Sequence, residues 1–142
     1  MAEAFEPLRL LAEDADDLSV ISAALQDAVA RMGDIAYEQA TRRVTVAFNR
    51  YRWEHGGERV RCGLQIGSVL AVKARRLRRG AKSAVVELLS VAFESGEAPG
   101  GAIILTFAGG GDLRVEVECV DAILADLSSP WPAKREPAHD EA

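Results

Sequence analysis

AIILTFAGGGDLRVEVEC, residues 102–119, is the stretch whose reading decides the fold class. Its second half alternates Leu113, Val115 and Val117 with Arg114, Glu116 and Glu118. Side chains two apart share one face of a strand, so this period describes an antiparallel strand with one apolar and one solvated face. Ala102–Ala108 is apolar enough to be its partner, and Gly109-Gly110-Gly111 supplies the turn. Glycine enters left-handed conformations at little steric cost, which a tight hairpin needs. The same glycines invite a phosphate-loop reading, but such a loop feeds a helix N-terminus and here a strand follows.

The period of two continues upstream. Ile35–Gln39 and Arg43–Trp53 flank Ala40-Thr41-Arg42 as a second hairpin. Val44, Val46 and Phe48 share a face while Tyr51 and Trp53 take the opposite parity, so a bulge or bend is expected near Asn49-Arg50. Arg59–Ile66 and Val69–Arg75 read as strands, the latter with Leu70 and Val72 inward. Ala84–Glu94 is apolar on both parities and suits a central strand, although periodicity alone leaves a helix open for part of it. Leu8–Ala12 carries a weaker strand signal.

Helical spacing appears in Leu18, Ile21 and Leu25, which predicts a helix over 16–26. Asp16 or Asp17 can cap it and Gly33 can close it, while residues 27–32 suit either helix or strand. Asp121 is expected to open a short helix carrying Ile123, Leu124 and Leu127, stopped by Ser128-Ser129-Pro130. The fold class is therefore α+β. About seven antiparallel strands form a partly open pleckstrin-homology-like barrel or curved sheet, with an N-terminal helix and a short C-terminal helix. An open antiparallel sheet packed by two helices is the alternative. Residues 1–128 are expected to form a single globular domain, and 129–142 a Pro-rich polar tail without regular structure.

The chain of 142 residues is 49% hydrophobic and 27% charged, which suits one globular domain and excludes collagen, coiled coil and a disordered chain. Its net charge of −5 conceals a strong division. Residues 1–41 carry a net −7, residues 42–82 a net +10 and residues 83–142 a net −8. Cys62 and Cys119 fall on apolar parities and have no metal-ligand spacing, so they read as buried reduced thiols, with a bridge between them left open. No metal and no cofactor is implied. The acidic N-terminus lacks a signal-peptide pattern and no window approaches the ~18 apolar residues of a spanning helix, so a cytoplasmic location without a transmembrane segment is expected.

The stretches LRLLAEDADDL, LQDAVARMGD, NRYRWE and TFAGGGDLRVEVECVDAILADL, with the PWP of the tail, resemble a family of small uncharacterised bacterial proteins, domain of unknown function 2948. The resemblance spans Leu8 through Leu127 and implies bacterial origin and a compact single domain. It carries no established activity, so it transfers no catalytic residue.

Arg75, Arg76, Arg78, Arg79 and Lys82 place five cations within eight positions and form the candidate ligand-binding segment. They can attract an acidic protein or a phosphorylated ligand, or simply pair with the chain's own acidic flanks. A pI near 5.1 argues against nucleic acid. Arg52 and Trp53 are candidate anchors, against a reading in which Tyr51 and Trp53 cover the sheet beneath the helix. Trp131 is a candidate interaction residue, since an indole in a tail tends to dock, on its own domain or on another copy. His55 and His139 are not placed as a catalytic pair, and no nucleophile elbow is present. The resulting reading is a non-catalytic binding or adaptor domain. Homo-oligomeric assembly through a sheet edge or the tail Trp, and a small-molecule enzyme with no visible site, are the alternatives.

Overall fold

A computed structural model describes residues 5–137. Along the chain it contains β1 (Arg9–Ala12), α1 (Ala15–Ala24), β2 (Val29–Arg31), a 3-10 turn (Met32–Asp34), β3 (Ile35–Glu38), β4 (Arg43–Tyr51) and β5 (Glu58–Ile66). These are followed by β6 (Val69–Arg75), β7 (Val85–Ser95), β8 (Gly101–Phe107), β9 (Asp112–Val117), β10 (Ala122–Asp126) and β11 (Trp131–Pro132). The 102–119 stretch folds as its alternation requires. Ile103, Leu105, Phe107, Leu113, Val115 and Val117 all point into the core, with Leu105 opposite Leu113 and Ile103 opposite Val115. Gly109 and Gly110 turn the hairpin at φ +91° and +95°.

Every pairing is antiparallel, and the strand order is β1-β10-β5-β4-β2-β7-β8-β9-β6, with β3 against β4 and β11 against β5. The end strands β1 and β6 do not pair with each other, so the sheet stays open. β2 joins its two halves, meeting β4 through Val29–Asn49 and β7 through three residue pairs. One continuous core fills the curve, built from Leu18, Ile21 and Leu25 of α1, Val46 and Phe48 of β4, Leu64 of β5 and Leu105 of β8. Burying apolar area of this extent is the main favourable term of folding.

Eleven strands replace the expected seven: the weak strand signal of Leu8–Ala12 becomes β1, and β2, β10 and β11 are added. Residues 29–31 settle as strand, after Asp27 leaves the helix at φ +63°. The N-cap is Asp14 rather than Asp16 or Asp17: its Oδ1 accepts the Asp17 amide at 2.7 Å, leaving Asp16 and Asp17 to face the helix dipole. Gly33 does not close the helix. It lies in the 3-10 turn and donates its amide to the Lys82 carbonyl at 2.8 Å, a close approach where a Cβ would sit 3.1 Å from that oxygen.

The expected C-terminal helix is a strand. β10 lies between β1 and β5, with Ala122 and Leu124 buried and Ile123 facing the other side. Five residues give too few helical hydrogen bonds to compete with a ladder on both flanks. The expected bulge near Asn49-Arg50 is also absent, since β4 keeps register with β5 from Val44–Ile66 to Tyr51–Arg59. The parity of Val44, Val46 and Phe48 continues inward to Arg50, which is fully buried. Irregularities lie instead between Val69 and Ala71 and between Leu88 and Ser90. The first of these turns Leu70 outward, against the expectation that it faces the core. Within the tail, Trp131 and Pro132 pair with Arg59 and Glu58, so that segment does contain regular structure.

Cys62 is buried among its strand neighbours as expected. Cys119 is only half-buried and lies in the turn beyond β9, and both thiols are free. No helix among the described residues is long and apolar enough to cross a membrane.

Candidate functional site

The basic segment begins at the end of β6 and runs as a loop to β7. It is tied down from beneath: Met32 donates to the Ala84 carbonyl and Gly33 to the Lys82 carbonyl, each at 2.8 Å. Internal bonds from Ala81 to Arg78 (3.0 Å) and from Ala84 to Ala81 (2.9 Å) hold its shape. The backbone is thus fixed while the cationic side chains point outward. Arg75 is the exception, because its guanidinium meets the Asp112 carboxylate at 2.5 Å. Arg76, Arg78, Arg79 and Lys82 are exposed and make no ion pair among the described residues.

Many of the other strand cations are neutralised. Arg42 meets Glu118 at 2.7 Å, Arg61 meets Asp34 at 3.1 Å, Lys73 meets Glu116 at 3.2 Å and Arg114 meets Glu94 at 3.1 Å. A shallow hollow of about 590 Å³ on the outer face of β6, β8 and β9 is lined by Lys73, Arg75, Glu94, Asp112 and Arg114, whose charges satisfy one another. A smaller cleft of about 110 Å³ opens between β3 and β6. Ile35, Tyr37, Val72 and Ala74 line it, and Leu77 and Arg79 of the basic loop form part of its wall.

Arg52 and Trp53 do not join this loop. They follow the far end of β4, about 25 Å along the strand from the Val44 end that lines the cleft. Arg52 is buried, pairs with Glu58 and lies 4.9 Å over the Phe5 ring. Trp53 donates its indole N–H to the Gln26 carbonyl at 3.1 Å and meets Tyr51 edge-on at 4.8 Å. Trp131 keeps 37% of its surface exposed beside β5. His55 lies in the turn between β4 and β5, within 3.3 Å of Glu58, and His139 is outside the described residues. Among the described residues no three His, Cys, Asp or Glu side chains gather as a metal site.

The feature hidden from sequence reading is the ion cluster around Arg50. Its Nε and one terminal nitrogen each donate to Asp126 at 2.8 Å, and both terminal nitrogens reach Glu54 at 2.9 and 2.8 Å. Asp126 also accepts the Leu8 amide at 2.8 Å. Burial opposes the charge on Arg50, but its hydrogen bonds to Glu54 and Asp126 outweigh that and raise its pKa above the ordinary value. The bond from Arg50 in turn holds the Glu54 carboxyl below its ordinary value. Burial pushes the neighbouring Cys62 thiol up to about 12, so it is an inert packing group at neutral pH. The cluster clamps β4, β10 and the N-terminal segment together. The signal was the parity of Val44, Val46 and Phe48, which points Arg50 inward.

Fold and site together define an open antiparallel sheet with one packing helix, and a loop that gathers four exposed cations without ion pairs among the described residues beside an apolar cleft. The chain belongs to the family described as protein of unknown function (DUF2948), which matches residues 8–139. Neither the curated proteins nor the solved structures gave a match.

Proposed function

We propose that the protein is a bacterial, cytoplasmic, non-catalytic binding module that uses its arginine-rich loop for an anionic ligand. The observation that carries this is clustering: Arg9, Arg31, Arg43, Lys134 and Arg135 are also exposed without an ion pair among the described residues but lie on other elements, whereas the loop gathers four such cations within seven positions. Arg76, Arg78, Arg79 and Lys82 stay exposed without ion pairs among the described residues, while Arg42, Arg61, Lys73, Arg75 and Arg114 each have a carboxylate. Exposed like charges held on one backbone-anchored loop favour an anion and raise its encounter rate. By analogy with pleckstrin-homology-like domains, a basic loop at one end of a curved antiparallel sheet can hold an anionic group.

The test is titration of a fluorescein-labelled Glu-rich peptide, followed by anisotropy at several salt concentrations. Replacing Arg76, Arg78, Arg79 and Lys82 by Gln is expected to weaken binding about tenfold and to flatten its salt response. Binding and salt response both unchanged would overturn the proposal.

A second reading is self-assembly through β1, which pairs only with β10 and carries Leu11 at 63% exposure. Light scattering that shows a dimer disrupted by Leu11→Lys supports it, and a monomer at high concentration removes it.

A further inference from the structure

We propose that the cleft between β3 and β6 receives one apolar side chain of an acidic peptide, whose carboxylates meet the loop cations. This deepens the binding reading above and rests on it. The two features are physically one: Leu77 and Arg79 belong to the basic loop and also line the cleft. A ligand drawn to the loop's charge therefore meets an apolar opening beside it, floored by Val44 and Leu113. Both bordering strands are also paired on one side only, β3 to β4 and β6 to β9. Unused backbone donors and acceptors along such edges suit an extended chain.

Size separates a peptide from a lipid. The cleft is about 110 Å³, below the roughly 150 Å³ that holds a single benzene. It fits a Val- or Leu-sized side chain and not an acyl chain. Charge gives the rest of the specificity, because a basic peptide meets repulsion at Arg76, Arg78, Arg79 and Lys82.

Two labelled peptides test this, one Glu-rich with a single central leucine and one identical except for glycine in its place. Wild-type protein is expected to bind the leucine peptide about tenfold more tightly. Ala74→Leu, which fills the cleft and leaves every cation in place, is expected to abolish that preference. Equal affinity of the two peptides for wild-type protein overturns the inference while leaving the anion reading standing. The Gln-substituted loop, by contrast, weakens both peptides together, and its failure to do so defeats the anion reading instead. Methyl NMR of the wild-type protein needs no variant: the leucine peptide is expected to shift Ile35, Val72 and Leu77, and shifts equal to those from the glycine peptide overturn the inference. Binding to phosphoinositide vesicles in the absence of binding to either peptide overturns it as well.

Discussion

Arg50 and Asp126, 76 positions apart, form a two-bonded ion pair in which neither side chain has any exposed surface. The pair joins β4 to β10 at one end of the core, and Glu54 and the Leu8 amide complete its hydrogen bonding. A buried pair gains Coulomb energy at the cost of desolvating two ions, so its strongest effect appears when one partner is removed.

Arg50→Met leaves Asp126 buried without its cation and is expected to cost about 3–5 kcal/mol, read from urea unfolding. Adding Asp126→Leu removes the stranded carboxylate and is expected to recover most of that loss, leaving about 1 kcal/mol for the unpaired Leu8 amide. Equal stability of the single and double variants would show that the pair is not coupled.

The pH dependence follows from Glu54. Its carboxyl titrates below the ordinary 4.5 because Arg50 donates to it. A carboxylate with a depressed folded-state pKa contributes stability above its unfolded value, and loses it as pH falls through the folded one. Stability is therefore expected to fall in acid below about pH 4.5, and Glu54→Gln to make that fall shallower. The two chemical-denaturation profiles, measured from pH 7 to 3, check this.

The thiols are expected to behave differently. Cys119, half-buried in a turn, reacts with a thiol reagent in the native protein at pH 8, while fully buried Cys62 reacts only after unfolding. Cys62 titrates at about 12 when folded against an ordinary 9.0, so its contribution is complete below pH 9.0 and lost as pH rises towards 12. Counting labelled thiols with and without urea decides the first statement. Two rapid equivalents in native protein would contradict it.

Strand β10 is tested by alternation. Leu124→Ala, at a buried position, is expected to cost about 2–5 kcal/mol, and Ile123→Ala, on the other face, less than about half of that. Equal costs would favour the helical arrangement that the spacing of Ile123, Leu124 and Leu127 first suggested.

The hairpin at 102–119, the helix around Leu18, Ile21 and Leu25, and the strands 43–51, 58–66 and 69–75 were legible because each contains a long run of one period. Short elements were legible weakly, as at Leu8–Ala12 and in the open choice at 27–32, or not at all. Arg9–Ala12, Val29–Arg31, Ala122–Asp126 and Trp131–Pro132 span two to five residues, too few for periodicity to separate strand from helix or tail. Their state is set by neighbours: β10 is a strand because β1 and β5 offer ladders on both sides of it. Arg50 escaped the sequence reading for a related reason: a bulge was expected at Asn49-Arg50, and the partner that lets a charged side chain keep the inward parity, Asp126, arrives from a strand distant in sequence.

The sequence by itself determined a largely antiparallel sheet with a helix near its start, and a basic middle between acidic flanks, because local period and charge are properties of adjacent residues. Which cations remain available was decided only by tertiary structure. Arg75 faces Asp112 across the β6–β9 ladder, whereas Arg76, Arg78, Arg79 and Lys82 leave the ladder on a loop with no opposing strand to bring them a carboxylate. Ion pairing depends on separations of a few ångströms between distant parts of the chain, and only the folded sheet sets those separations.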